Sequence, residues 1–239
     1  MRPDSGEAIT VAVRRFGVLT TTGTVAGVPA QRAAHERPAR AGGTAVRDLR
    51  GRGTHGPRGL DFADGDIVVV SGLPGGGKST LIKRAATGGI DSQDTRERWE
   101  RRMPDALPYA AYRPLVRVAH YRGLWRALRS GASVVVHDCG TQTWVRGLLA
   151  GFARRRNRSL HLLLLDTTPQ EALAGQEARG RRVSAYAFSR HRGAADRLLR
   201  DAESGSLPRG CASVVLLDRA AASGITRIAF APAPPAPGA

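Results

Sequence analysis

Short apolar runs recur along the chain at Ile67–Ser71 (IVVVS), Ser133–His137 (SVVVH), Leu160–Leu165 (LHLLLL) and Val214–Leu217 (VVLL). They are continuous rather than alternating, the pattern of strands buried on both faces. Helix-compatible stretches lie between them: Ser79 to about Ala86, Arg113–Arg129, Thr143–Arg155 and Pro169–Arg179. In Arg113–Arg129, residues Leu115, Val118, Trp125 and Leu128 fall on one broad stripe. A further short strand is expected to end near Ile90, and an edge strand at Thr226–Phe230. Strand–helix alternation of this kind predicts an α/β fold, a three-layer core around a mostly parallel sheet. Ligands then belong at the carboxyl ends of the strands.

The flanks read differently. Over residues 1–60 neither helical nor strand periodicity is sustained, apart from one plausible strand pair around Ala8–Leu19. Gly42, Gly43, Gly51, Gly53, Gly56 and Pro57 keep interrupting the pattern. This stretch has ten arginines against four acidic residues. It is expected to be a basic, largely flexible N-terminal extension. The core domain is placed at 61–230, followed by an Ala/Pro-rich tail at 231–239.

A hydrophobic fraction of 41% over 239 residues is enough to fill a core, which excludes wholesale disorder. Charge adds a second consideration: 37 basic residues face 20 acidic ones, for a net charge of +17, and only Lys78 and Lys83 are lysines. Two readings stay open, a cationic surface that attracts nucleic acid or arginine enrichment without a partner. Cys139 and Cys211 are too few for a disulfide framework and adjoin apolar runs, as buried thiols do. No apolar stretch is long enough for a membrane span, and no signal-peptide core is evident near the start. A soluble cytoplasmic protein with no membrane partner is expected.

The most specific chemical signal is Gly72-Leu73-Pro74-Gly75-Gly76-Gly77-Lys78-Ser79-Thr80. It satisfies G-x-x-x-x-G-K-[ST], follows a strand directly and opens a helix. Glycines allow a tight turn whose N–H groups converge on phosphate oxygens, and the helix adds its positive end. Lys78 is expected to reach the β and γ phosphates, Ser79 to ligate Mg²⁺, and Thr80 to sit near the α phosphate. The cofactors implied are ATP and Mg²⁺; no N-K-x-D-like segment argues for guanine.

Asp138 closes the run Val134-Val135-Val136-His137-Asp138. A carboxylate at a central strand end can hold Mg²⁺, as in Walker B motifs; it can equally mark a strand-to-loop turn. Cys139 and His137 read as structural.

Four pieces together carry a family resemblance: VVVSGLPGGGKSTL, IDSQDTRERW, GASVVVHDCGTQ and LLLLDTTPQEALAGQEARGR. From about Gly65 to Asp218 the chain resembles the polynucleotide-kinase and zeta-toxin-like branch of P-loop kinases, often described as AAA-family ATPases in bacteria. It does not resemble a ring-forming AAA+ motor. The resemblance implies a nucleoside-monophosphate-kinase-like core with an arginine-rich lid. It also implies transfer of a γ-phosphoryl group to a hydroxyl. Acceptors across the group include nucleic acid 5′ ends, antibiotics and sugar-nucleotides.

Carried over residue by residue, the resemblance gives Arg96 an acceptor-steering role. Gln93 then stands where the family has its base aspartate, and an amide cannot take a proton, so the role passes to Asp94 or Asp91. A solvated loop with Asp91 or Ser92 capping a helix is the alternative. In the lid, Gly175 replaces the first of two family arginines, and Arg179 holds the second position. Arg179 and Arg182 are expected to cover the phosphates, ahead of Arg190, His191 and Arg192. Asp218 and Arg219 either approach the base or form a surface ion pair. Arginines and aromatics in Arg113–Arg129 either track a nucleic acid backbone or pack as a lid. Three functions follow: a kinase acting on a nucleic acid end or small metabolite, a nucleotide-dependent regulatory protein, and a toxin-like kinase acting on cell-wall precursors.

Overall fold

Apolar runs that alternate faces need cover on both sides, and the computed structural model shows how that cover is supplied. It describes residues 11–13, 45–86, 122, 124–138, 143–180 and 183–231. In chain order the elements are β1 (Val11–Val13), β2 (Val46–Asp48), β3 (Gly59–Ala63), β4 (Ile67–Gly72), α1 (Lys78–Ala85) and α2 over residues 124–130. They continue as β5 (Val134–His137), α3 (Thr143–Arg154), β6 (Leu160–Leu165), α4 (Pro169–Glu177) and α5 (Ala185–Glu203). The last are β7 (Ser213–Leu217), α6 (Arg219–Gly224) and β8 (Arg227–Ala231).

The main sheet runs β1-β5-β4-β6-β7-β2, with β4 between β5 and β6. Five strands are parallel, and β1 closes one edge antiparallel to β5. Ile67, Val69, Val134, Val136, Leu162 and Leu164 pack toward Leu128 of α2, Leu149 of α3 and Leu198 of α5. Val68, Val70, Val135, Leu163 and Leu165 face the other way, onto Leu81 of α1 and Ile225 just beyond α6. The α/β fold with a mostly parallel sheet is therefore as expected. Each buried leucine is expected to cost about 2–5 kcal/mol on truncation to alanine.

Three features depart from the sequence reading in detail. Residues Arg227–Ala231 are a strand, but they pair in parallel with β3 as a separate two-stranded ladder rather than at the main sheet's edge. The nineteen-residue α5 had no sequence expectation; Ser184 caps it by accepting from Ala187 N. Within the first 60 residues, β2 joins the main sheet beside β7, and Leu49 N donates to Leu216 O at 3.0 Å. The expected strand near Ile90 lies outside the described residues. Among the described residues no helix is long and apolar enough to cross a membrane.

Candidate functional site

β4 ends at Gly72 in the sheet centre and α1 begins at Lys78, so residues 73–77 form the connecting loop at a carboxyl strand end. The loop tightens through a bond from Gly76 N to Leu73 O at 2.9 Å. Gly77 caps α1 at φ +93°, a conformation that side-chain-bearing residues rarely adopt. Lys78 is buried, 3% exposed, and its Nζ donates to the carbonyls of Gly72 at 2.8 Å and Leu73 at 2.7 Å. An ammonium has three donors, so one remains. Among the described residues no carboxylate pairs with Lys78, and a buried cation held only by neutral carbonyls favours an anion.

α4 walls the loop on one side. Thr168 and Glu171 close a capping box, and Pro169 takes the first turn, where its missing N–H costs nothing. The Thr168 amide and hydroxyl, both bonded to Glu171, hold that carboxyl below its ordinary range. Across the interface the backbones nearly touch: a Cβ at Gly175 would lie 2.3 Å from Gly75 O, and one at Gly75 2.0 Å from Ala172 O. Gly175 therefore has a steric reason, and no side chain fits at that position in this packing. Gln176 is buried and bridges outward, its Nε2 donating to Pro74 O and its Oε1 accepting from Val183 N, each at 3.0 Å. Pro74 itself is buried under this contact. Thr167, also buried, turns its hydroxyl toward Gly76 O at 3.4 Å.

On the other side, Asp138 N donates to Val70 O at 2.8 Å, which sets Asp138 at the end of β5 beside the loop. Its Oδ2 accepts from Arg146 Nη1 of α3 at 2.7 Å, with both side chains buried. One register step beyond Val70–His137, Ser71 stands next to Asp138, and its buried hydroxyl has no hydrogen-bond partner among the described residues. Ser79 is half-buried in the first turn of α1, and Thr80 is exposed beside it. Among the described residues no three metal-binding side chains cluster. One carboxylate, one hydroxyl and substrate phosphates nevertheless suit Mg²⁺, which retains waters and needs few protein ligands. The donor set therefore fits that ion.

A family model described as an AAA domain matches residues 67–203, from the start of β4 to the end of α5. The chain belongs to this AAA-domain family. The match covers the loop, Asp138 and α4, and makes the chain a nucleotide-binding, kinase-like P-loop protein. No curated protein matches the chain.

The remaining expected residues of this AAA domain divide by position. Arg179, exposed just past α4, brings Nη2 to 3.5 Å from Gly75 O, a long contact at the loop. Asp91, Gln93, Asp94, Arg96, Cys139 and Arg182 lie outside the described residues. Asp218 is used structurally, with Oδ1 capping α6 at Ala221 N (2.7 Å) and Oδ2 accepting from Gly51 N (2.6 Å). Cys211 is a free thiol whose pKa burial pushes up to about 11, which makes it a poor nucleophile. Thr143 of α3 and Tyr186, Arg190 and Arg197 of α5 line a groove of about 350 Å³, with the Arg190 guanidinium 5.9 Å from the Tyr186 ring.

Sequence reasoning missed Arg146, Thr167 and Gln176. Arg146 had one available signal, a lone arginine on the apolar face of an amphipathic helix. Gln176 had a comparable signal: a polar residue four after Ala172, on the same helix face.

Proposed function

We propose that the chain is an ATP-dependent phosphotransferase that moves the γ-phosphoryl group of ATP to a hydroxyl on a nucleic acid end or a small metabolite. The observation that carries this reading is Lys78, buried in the glycine loop without a carboxylate partner among the described residues. In the reaction, the acceptor oxygen bonds to the γ-phosphorus and the bond to the β-phosphate oxygen breaks. ADP leaves and the hydroxyl proton passes to a base. Loop N–H groups and the third Lys78 proton bind the phosphate oxygens, and Arg179 balances charge on the transferring group. Ser79 and Asp138 would hold Mg²⁺, which supplies charge neutralisation across the β and γ phosphates. Asp94 or Asp91 takes the acceptor proton and Arg96 steers the acceptor, with Arg182 closing the lid beside Arg179. Resemblance to polynucleotide kinases and zeta toxins supports the choice of a hydroxyl acceptor. The groove between α3 and α5, whose lining includes Thr143 one helical turn before Arg146, gives an acceptor room.

A second reading is a nucleotide-dependent regulatory protein with little transfer. It is favoured by the α4 backbone pressed against Gly75 and by the hold of Arg146 on Asp138. Labelled γ-phosphate transfer from ATP·Mg²⁺ to 5′-hydroxyl DNA and RNA, nucleosides, sugars and aminoglycosides separates the two. Transfer to one acceptor class supports the kinase. ATP binding with slow hydrolysis indifferent to every acceptor supports the regulator.

A further inference from the structure

The amino ends of the central strands carry a concentration of arginine that phosphate binding at the loop does not use. Arg126 and Arg129 project from α2, and Arg154, Arg155, Arg156 and Arg158 line the connection from α3 to β6, all of them exposed. The two groups meet, since Arg156 Nη2 donates to the Arg129 carbonyl. Arg156 also lies over Gly131 and Arg158 over Gly65, each guanidinium 2.8 Å from where a Cβ would stand. Gly65 and Gly131 are turn glycines at φ +83° and +75°, so Arg158 and Arg156 are carried over the entries to β4 and β5. Trp125, 42% exposed, stands among them, edge-on to Phe152 and 5.7 Å from the Arg129 guanidinium.

Acidic residues on this edge are engaged elsewhere. Asp64 Oδ1 accepts from Ser133 Oγ, while Asp66 accepts from Ser159 N and faces His161. Among the described residues no carboxylate pairs with any of the six arginines. We infer that this edge is a docking surface for the phosphate backbone of nucleic acid, separate from the nucleotide loop. The charge is arginine alone, whose planar forks bind phosphate in pairs and stack on bases, and Trp125 adds an aromatic face. Trp144 and Leu148 of α3 are exposed and lie eight and four residues before Phe152, so an anionic membrane is the competing occupant, which the vesicle arm of the test separates from nucleic acid. β4 separates the patch from the loop by six residues, about 20 Å, so both sites can be filled together. The inference does not rest on phosphoryl transfer and holds equally for a regulatory protein.

The test is anisotropy of labelled single-stranded and duplex DNA and RNA, titrated with the full chain from about 50 to 200 mM salt. Arg126→Glu with Arg155→Glu is compared with Arg47→Glu and Arg58→Glu, an equal charge change on the β2–β3 side. Unchanged ATP affinity and melting temperature establish that both variants are folded. The patch variant is expected to bind about tenfold or more weakly and to lower the salt slope by about 1.5–2, with the control clearly less affected. Lysine at positions 126 and 155 should restore most of the binding. Equal losses in patch and control variants would overturn the inference. So would binding to phosphatidylserine vesicles that the patch change abolishes while nucleic acid binding is unmoved.

Discussion

Arg146 Nη1 stands 2.7 Å from Asp138 Oδ2, and the two side chains are 6% and 4% exposed. At that depth an Asp138 carboxylate left without Arg146 is an uncompensated buried charge. Removing Arg146 alone should therefore cost far more than removing both charges. Arg146→Met is expected to lose about 3–5 kcal/mol in urea unfolding, and Arg146→Met with Asp138→Asn should recover much of that loss. Equal losses in the single and double variants would contradict a coupled pair.

The approach of α4 to the loop gives a steric prediction. Gly175→Ala places a methyl where only 2.3 Å separates it from Gly75 O, so the helix or the loop must shift. A loss of about 1–3 kcal/mol is expected, together with weaker ATP binding because the loop itself is displaced. Gly147→Ala on α3 meets open space and should be neutral or stabilise by up to about 1 kcal/mol. Thermal melts and ATP titrations of the two variants check the contrast.

Gln176 joins the loop to the start of α5 through one amide. Gln176→Leu keeps the bulk but leaves Pro74 O and Val183 N without that partner, at an expected cost of about 1–3 kcal/mol. Amide exchange at Val183 should accelerate by more than exchange in β4. Unchanged protection at Val183 would mean that the bond does not hold the segment.

Two carboxyls give the acid response. Hydrogen bonds from the Thr168 amide and hydroxyl lower the Glu171 pKa, and the Arg50 side chain lowers that of Asp48. A depressed carboxyl contributes stability above its unfolded value, and that contribution disappears as pH falls through the folded one. Melting temperature should therefore hold from neutral pH to about 5 and drop below the ordinary values of 4.5 and 3.8. Glu171→Gln should be less stable than the parent at neutral pH, with the gap closing in acid. A gap that widens in acid would refute the assignment.

The parallel core was legible because Ile67–Val70, Val134–Val136 and Leu162–Leu165 are apolar at every position, which only two-sided burial rewards. The phosphate loop was legible because a tight turn and an anion cradle require glycine, lysine and hydroxyl in fixed order. β2 was not, because Val46–Asp48 is three residues long with two exposed, and its pairing with β7 is a long-range fact. α5 was hidden by charge. Arg190, Arg192, Arg197 and Arg200 mask a narrow stripe of Ala187, Ala194, Ala195, Leu198 and Ala202, whose small side chains give little hydrophobic signal. Gly175 read as a missing arginine until its contact with Gly75 supplied the reason, since backbone approach leaves no trace in a single chain.

The proposed function requires residues 72–79 to seat a nucleoside triphosphate with Lys78 beneath it. Calorimetric titration with ATP·Mg²⁺ and ADP·Mg²⁺, on the parent and on Lys78→Ala, tests it most directly. The parent is expected to bind ATP, and Lys78→Ala to lose at least about tenfold with its fold intact, a charge-assisted hydrogen bond being worth about 1.5–3 kcal/mol. ADP, lacking the γ-phosphate, should show a smaller loss. Equal ATP affinity in the parent and Lys78→Ala, or no binding by either, would contradict it.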